Sequence, residues 1–120
     1  DYRANKVSAT PARGWIAAFP PDTVFIKQAS TEGAASVHPE HRFAEIYNKV
    51  PASLDDWGIL ELELIGPSVK LAPGESTRFK ETWLILPYNR ANHADAHIDY
   101  LQSVVSPLME QGSDDTAPSF

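Results

Sequence analysis

The strongest constraint on the fold is a strict alternation of leucine and glutamate over residues 60–64 (Leu-Glu-Leu-Glu-Leu). A period of two is the period of a β-strand, so the leucines share one face of a sheet and the glutamates share the other. Segments rich in β-branched and aromatic residues predict further strands over residues 15–19, 23–28, 43–49 and 76–88. Short turns with proline and glycine separate them, which indicates a mostly β protein built as an antiparallel β-sandwich.

Two parts of the chain depart from this strand pattern. After the last strand, apolar residues recur every three or four positions and predict one amphipathic C-terminal helix over residues 92–105. Residues 1–14 are polar and are predicted to form an N-terminal arm, whereas residues 112–120 are predicted to be a disordered tail. The sandwich domain is therefore expected to span residues 15–111, with the helix included.

The composition narrows the possible functions. A chain of 120 residues has the length of one domain, and its net charge of −6 gives no attraction for nucleic-acid phosphates or anionic membranes. No apolar run is long enough to span a bilayer. The absence of cysteine excludes disulfides and thiolate zinc sites, and no motif indicates a cofactor. The chain begins at Asp1 without a leader, so we expect a mature form, a cleaved product or a fragment, with a periplasmic or extracellular location favoured.

Glu61 and Glu63 are the first candidates for chemistry. Their positions on one strand face are about 6.5–7 Å apart, close enough for one carboxylate to act as a base and the other as an acid. The alternative is structural, with the leucine face packed in the core and the glutamate face simply hydrated, as antiparallel sheets often arrange. The pattern alone leaves both interpretations open.

A wider pattern resembles a known superfamily. Residues 58–67 (Gly-Ile-Leu-Glu-Leu-Glu-Leu-Ile-Gly-Pro), 71–76 (Leu-Ala-Pro-Gly-Glu-Ser) and 81–83 (Glu-Thr-Trp) are similar to the C-terminal end of galactose-mutarotase-like β-sandwiches. These include the aldose 1-epimerases and a DUF4380-like branch. The resemblance implies carbohydrate processing, with Glu63 as the general base that deprotonates the anomeric hydroxyl and Glu61 beside it. It also implies that the chain is the C-terminal part of a longer sandwich, whose general-acid histidine would precede residue 1.

Two further groups could bind a ligand. The loop Asp55-Asp56-Trp57 combines carboxylates, which bind sugar hydroxyls, with an aromatic ring that stacks on sugar C–H groups. His93 and His97 are spaced i, i+4 on one helix face and are weak candidates for a zinc site. No third ligand is evident, and an exposed polar helix face is the alternative. The remaining aromatic of interest, Trp83, lies in the last predicted strand and is expected in the core.

The sequence therefore predicts a carbohydrate-binding or carbohydrate-processing domain whose partner is a small-molecule sugar or an oligosaccharide. The alternative is a non-catalytic β-sandwich module that binds, or is built into, another chain. In either case, unpaired strand edges and an uncovered sheet face predict a homodimer or a complex with a second polypeptide.

Overall fold

The leucine–glutamate alternation forms a strand, as predicted, and five other strands accompany it. The computed structural model describes residues 3–53 and 57–111. Its strands form two antiparallel three-stranded sheets, which confirms the mostly β class. In chain order they are β1 (Arg3–Ala9), β2 (Trp15–Ala18), β3 (Thr23–Gln28), β4 (Ala44–Val50), β5 (Ile59–Leu64) and β6 (Thr82–Pro87).

The first sheet has the order β1-β4-β5, and the second has the order β2-β3-β6. In the first sheet, Glu45 of the central strand lies opposite Ser8 on one side and Glu63 on the other. In the second sheet, Lys27 of the central strand lies opposite Ile16 and Trp83. Directly opposed residues point to the same face of a sheet, so these registers decide which side chains meet.

A small apolar core joins the two sheets. Its buried members are Ile16, Ala29, Phe43, Ala44 and Leu64. Phe43 is the most buried of them, with 1% of its surface exposed. Leu62 packs against this core as well, whereas Leu60 is 53% exposed. The leucine face of β5 therefore faces the second sheet at two of its three positions.

The C-terminal helix covers the opposite face of the second sheet. It consists of α1 (Ala94–Tyr100), a π-helical turn (Leu101–Val105) and α2 (Ser106–Gln111). Val24 and Ile26 of β3 are completely buried beneath it. No helix in the described part of the chain is long and apolar enough to cross a membrane. The contact between the helix and β3 forms a second apolar cluster. Its helical members are Tyr100, Leu101, Val104, Val105 and Met109.

Three element boundaries differ from those predicted. Residues 3–9, assigned from the sequence to an arm, form β1, which pairs with β4 along its whole length while all its side chains stay exposed. The helix runs over residues 94–111 instead of 92–105. It continues past Val105 because Pro107 follows directly on the π-helical turn, where the regular hydrogen-bond ladder is already interrupted and the missing proline N–H costs little. The last strand begins only at Thr82, and before it the ring of Phe79 lies against Gly66.

Residues 72–75 form one of the tight Pro-Gly turns of the chain. The amide of Glu75 donates to the carbonyl of Ala72 at 3.0 Å, and Gly74 takes the third position of the turn with φ of 88°. That backbone conformation favours glycine, as a type II turn requires. The turn leads from the segment after β5 towards β6.

Candidate functional site

One face of the first sheet collects most of the polar groups of its three strands. Because cross-strand partners point to the same side, three rows of three residues share this face. One row holds Ala4, Lys49 and Ile59, and the other two consist entirely of polar residues. We call the two polar rows the acidic face, since three of their six side chains are carboxylates. Its members are Lys6, Ser8, Glu45, Tyr47, Glu61 and Glu63.

Glu45 is the buried centre of the acidic face. Only 2% of the residue is exposed, and its carboxylate forms an ion pair with Lys6. Its Oε1 also lies 3.2 Å from His41 Nδ1, accepts the amide of Arg42 at 3.4 Å, and is 3.5 Å from Ser8 Oγ. A buried carboxylate requires such partners to offset its lost hydration. Glu45 thereby ties the loop before β4 to β1.

These contacts shift the ionisation of the pair. The hydrogen bond from Lys6 holds the pKa of Glu45 below its ordinary value of 4.5, against the opposing effect of burial, and the His41 and Arg42 hydrogen bonds act in the same direction as Lys6. The same Glu45 contact raises the pKa of Lys6 above 10.5, and the nearby charges of Glu63 and Glu61 add to it. Lys6 therefore interacts favourably with all three carboxylates of the face, and most strongly with Glu45.

The lowered pKa of Glu45 predicts an acid-sensitive fold. Above pH 4.5 the carboxylate is charged in both states, so its stabilising contribution is fully present. As the pH falls below 4.5 through the lower folded pKa, the unfolded chain takes up the proton first and this contribution is lost. We expect the urea concentration at the unfolding midpoint to fall as the pH falls over that interval.

Glu45→Gln tests this expectation. The variant should lower the urea midpoint at neutral pH and flatten its dependence on pH below 4.5. An equally steep pH dependence in the variant would contradict the role of Glu45.

Glu61 and Glu63 share the acidic face, as the alternation predicts. Both are exposed, with Glu63 opposite Glu45 and Glu61 opposite Tyr47. The leucines between and beside them point to the other side of β5. The two carboxylates are therefore open to a ligand in solution, and Glu63 lies opposite the buried Glu45, which in turn contacts His41.

The predicted sugar-binding loop is only partly described. Trp57 is 93% exposed, and Asp55 and Asp56 lie outside the described residues. Trp83, expected in the core, is instead 64% exposed. Side chains of β6 alternate between its two faces, and the C-terminal helix covers the face of Leu84 and Leu86 but leaves the face of Trp83 open.

The two histidines of the helix have separate structural contacts. His93 precedes α1 and caps it, because its Nδ1 accepts the amide of Ala96 at 3.3 Å. His97 stacks on Phe19, with the ring centroids 3.9 Å apart and the planes 5° from parallel. Within residues 3–53 and 57–111, no group of three or more His, Asp or Glu side chains is arranged to hold a metal ion.

Three residues of the site were not among the sequence candidates for catalysis. Glu45 lies in a segment in which Glu45 and Tyr47 alternate with Ala44 and Ile46, and this pattern indicates a polar strand face. That signal could have found it. Lys6 and His41 carry no such signal, because strand pairing and a loop bring them to Glu45.

A family model for a domain of unknown function, DUF4380, matches residues 1–86 of the 120. The chain belongs to the DUF4380 family. The matched range contains β1 to β5 with the whole acidic face, and all but the last residue of β6. No curated protein and no solved structure matches the chain. The family description assigns no activity, so the function of this DUF4380 domain has to be argued from its own residues.

Proposed function

We propose that this DUF4380 domain binds or processes carbohydrate in the manner of mutarotase-like proteins, with its two sheets forming part of a β-sandwich. The observation that carries the proposal is the exposed Glu63 carboxylate opposite the buried Glu45, which contacts the half-exposed His41. This arrangement puts an accessible base and a fixed imidazole on one sheet face. Sugar chemistry at the anomeric carbon requires both a proton acceptor and a proton donor.

Glu63 would act as the general base. Its carboxylate takes the proton from the anomeric hydroxyl of an aldopyranose while the bond between the anomeric carbon and the ring oxygen breaks. The ring oxygen receives a proton, which we assign to His41. Glu45 orients this imidazole through Nδ1, and 43% of the His41 side chain remains exposed. Reclosure of the open aldehyde on its other face reverses both proton transfers and completes the interconversion of anomers.

The other residues of the acidic face would hold the sugar. Lys6 and Tyr47 offer donors to hydroxyl oxygens, and Glu61 offers an acceptor two residues from the base. Substrates of this kind are uncharged aldoses. No cofactor enters the reaction, because it moves only protons and one carbon–oxygen bond.

The test is the rate of mutarotation of freshly dissolved α-D-glucose and α-D-galactose, followed by polarimetry. The wild-type domain should accelerate the approach to equilibrium, and Glu63→Gln should reduce that acceleration by about 100-fold or more, as loss of a general base does. Glu32→Gln removes the same charge from an exposed loop position and should leave the rate unchanged. Equal rates for Glu63→Gln and the wild type would remove Glu63 from the mechanism.

A second candidate function is a non-catalytic module that associates with another chain. Val7 and Ile85 lie on outer strands of the two sheets and are 63% and 67% exposed. Ile46, the cross-strand partner of Val7, packs against the core between the sheets. A homodimer or a complex with a second polypeptide would cover these side chains. Native mass spectrometry of the preparation used for polarimetry separates these assemblies from a monomer.

A further inference from the structure

A groove opens between the two sheets, on the side of β5 away from the acidic face. Its volume is about 390 Å³, within the range of about 300–1,000 Å³ that is typical of small-molecule sites. Among the described residues that line it, Lys27 is the polar one. The apolar lining consists of Ala18, Pro20, Phe25, Leu60, Leu62 and Trp83.

Trp83 forms an exposed but fixed wall of this groove. Its indole Nε1 donates to Glu81 Oε2 at 2.7 Å. The ring of Phe25 meets it edge-on, with centroids 5.5 Å apart and planes at 84°, and Lys27 Nζ lies 5.2 Å from its centroid. A ring held on three sides loses little freedom when a ligand stacks on it. Trp57, in contrast, is 93% exposed.

The polar groups leave the groove without net charge. Lys27 Nζ lies 3.0 Å from Glu81 Oε2 and donates to the carbonyl of Leu62 at 3.0 Å. The ion pair cancels both charges, so a charged ligand would lose its hydration and find no free countercharge. An ammonium has three donors and a carboxylate about four acceptor sites, so each group keeps hydrogen-bonding capacity for a neutral ligand.

We infer that this groove binds one neutral hexopyranose ring, stacked on Trp83 and hydrogen-bonded to Lys27, which Glu81 holds in place from outside the lining. A pyranose matches the lining because one face presents C–H groups while its hydroxyls both donate and accept. The inference takes its ligand class from the proposed function but uses a different site. The groove and the acidic face lie on opposite sides of β5, so the groove holds sugar without transforming it.

The experiment titrates the full chain with D-glucose and D-galactose while recording tryptophan fluorescence and the indole N–H signals in nuclear magnetic resonance. We expect saturable binding that shifts the Trp83 indole signal most. Trp83→Leu should weaken binding about tenfold or more, the loss expected when a stacking platform is removed. Trp57→Leu, the matched change at the other exposed tryptophan, should leave affinity within about twofold. The charged analogues D-glucuronate and D-glucosamine should bind more weakly than glucose.

Several outcomes would overturn the inference. The first is a flat response to both hexoses, and the second is a loss of binding in Trp57→Leu but not in Trp83→Leu. The third is a protein that is dimeric by native mass spectrometry and whose Trp83 indole signal does not change when sugar is added. Circular dichroism of both variants excludes unfolding as the cause. The wild-type domain separates the two proposals. A sugar-dependent shift of the Trp83 signal without any acceleration of mutarotation rejects Glu63 as base and keeps the groove. Mutarotation that Glu63→Gln abolishes, with no sugar-dependent shift of the Trp83 signal, keeps the base and rejects the groove.

Discussion

Replacing Phe43 with alanine is expected to lower the free energy of unfolding by about 3–5 kcal/mol, the usual cost of deleting a buried aromatic ring. Phe43 is 1% exposed and packs in the core that joins the two sheets. Its carbonyl also accepts the amide of Ile65 at 2.8 Å, which ties the start of β4 to the end of β5. The backbone bond survives the substitution, so the loss measures the ring alone. Urea unfolding followed by circular dichroism gives the value.

Phe79→Ala is the matched control for this prediction. Phe79 is 40% exposed and packs one side of its ring on Gly66, so its removal should cost about 1 kcal/mol or less. If Phe43→Ala leaves too little folded protein to measure, Phe43→Leu retains most of the apolar volume and should cost about 1–2 kcal/mol. Equal losses for Phe43→Ala and Phe79→Ala would mean that the inter-sheet core contributes far less than its burial indicates.

Replacing Lys27 with methionine is expected to cost about 3 kcal/mol, because it breaks a buried ion pair from one side. The Lys27 side chain is 11% exposed and that of Glu81 is 19% exposed. Without the ammonium, the Glu81 carboxylate and the Leu62 carbonyl stay largely buried and lose a partner. Methionine preserves the packing of the aliphatic stem, so the change reports the charge and its hydrogen bonds. The measurement is again the urea unfolding curve.

Lys80→Met and a double variant complete this test. Lys80 is exposed, so the same change there should alter stability by about 0.5 kcal/mol or less. Adding Glu81→Gln to Lys27→Met removes the unpaired carboxylate while an amide oxygen can still accept the Trp83 indole N–H. The double variant should therefore be more stable than Lys27→Met alone. A double variant that shows the full sum of two separate losses would contradict the coupling.

The strands that bury one face could be predicted from sequence, and the fully exposed strand could not. β5 was recognisable because Leu62 and Leu64 pack inward while Glu61 and Glu63 face water, so apolar and polar residues alternate along its sequence with a period of two. β1 has no buried side chain and therefore leaves no such pattern. Pairing with β4 forms it, and strand pairing depends on the fold as a whole.

The same distinction explains the site. Alternation told us that Glu61 and Glu63 share a face, but only the register with β4 shows that Glu63 adjoins Glu45. Alternation also put Trp83 and Leu84 on opposite faces of β6 without telling which face another element would cover. The helix covers the face of Leu84, and so the expectation that Trp83 is buried was wrong.

The π-helical turn has a consequence for how the family can vary in length. Tyr100 and Met109 pack in one cluster on the second sheet, yet nine residues of regular α-helix would set them about 180° apart around the axis. The wide turn over residues 101–105 advances by less per residue and so narrows that difference. Deleting one residue there would restore a regular helix in which Met109 follows Tyr100 by eight residues, about 80° around the axis, so Met109 would still face the sheet. A relative one residue shorter at this turn can therefore keep the same apolar residues in its last turns.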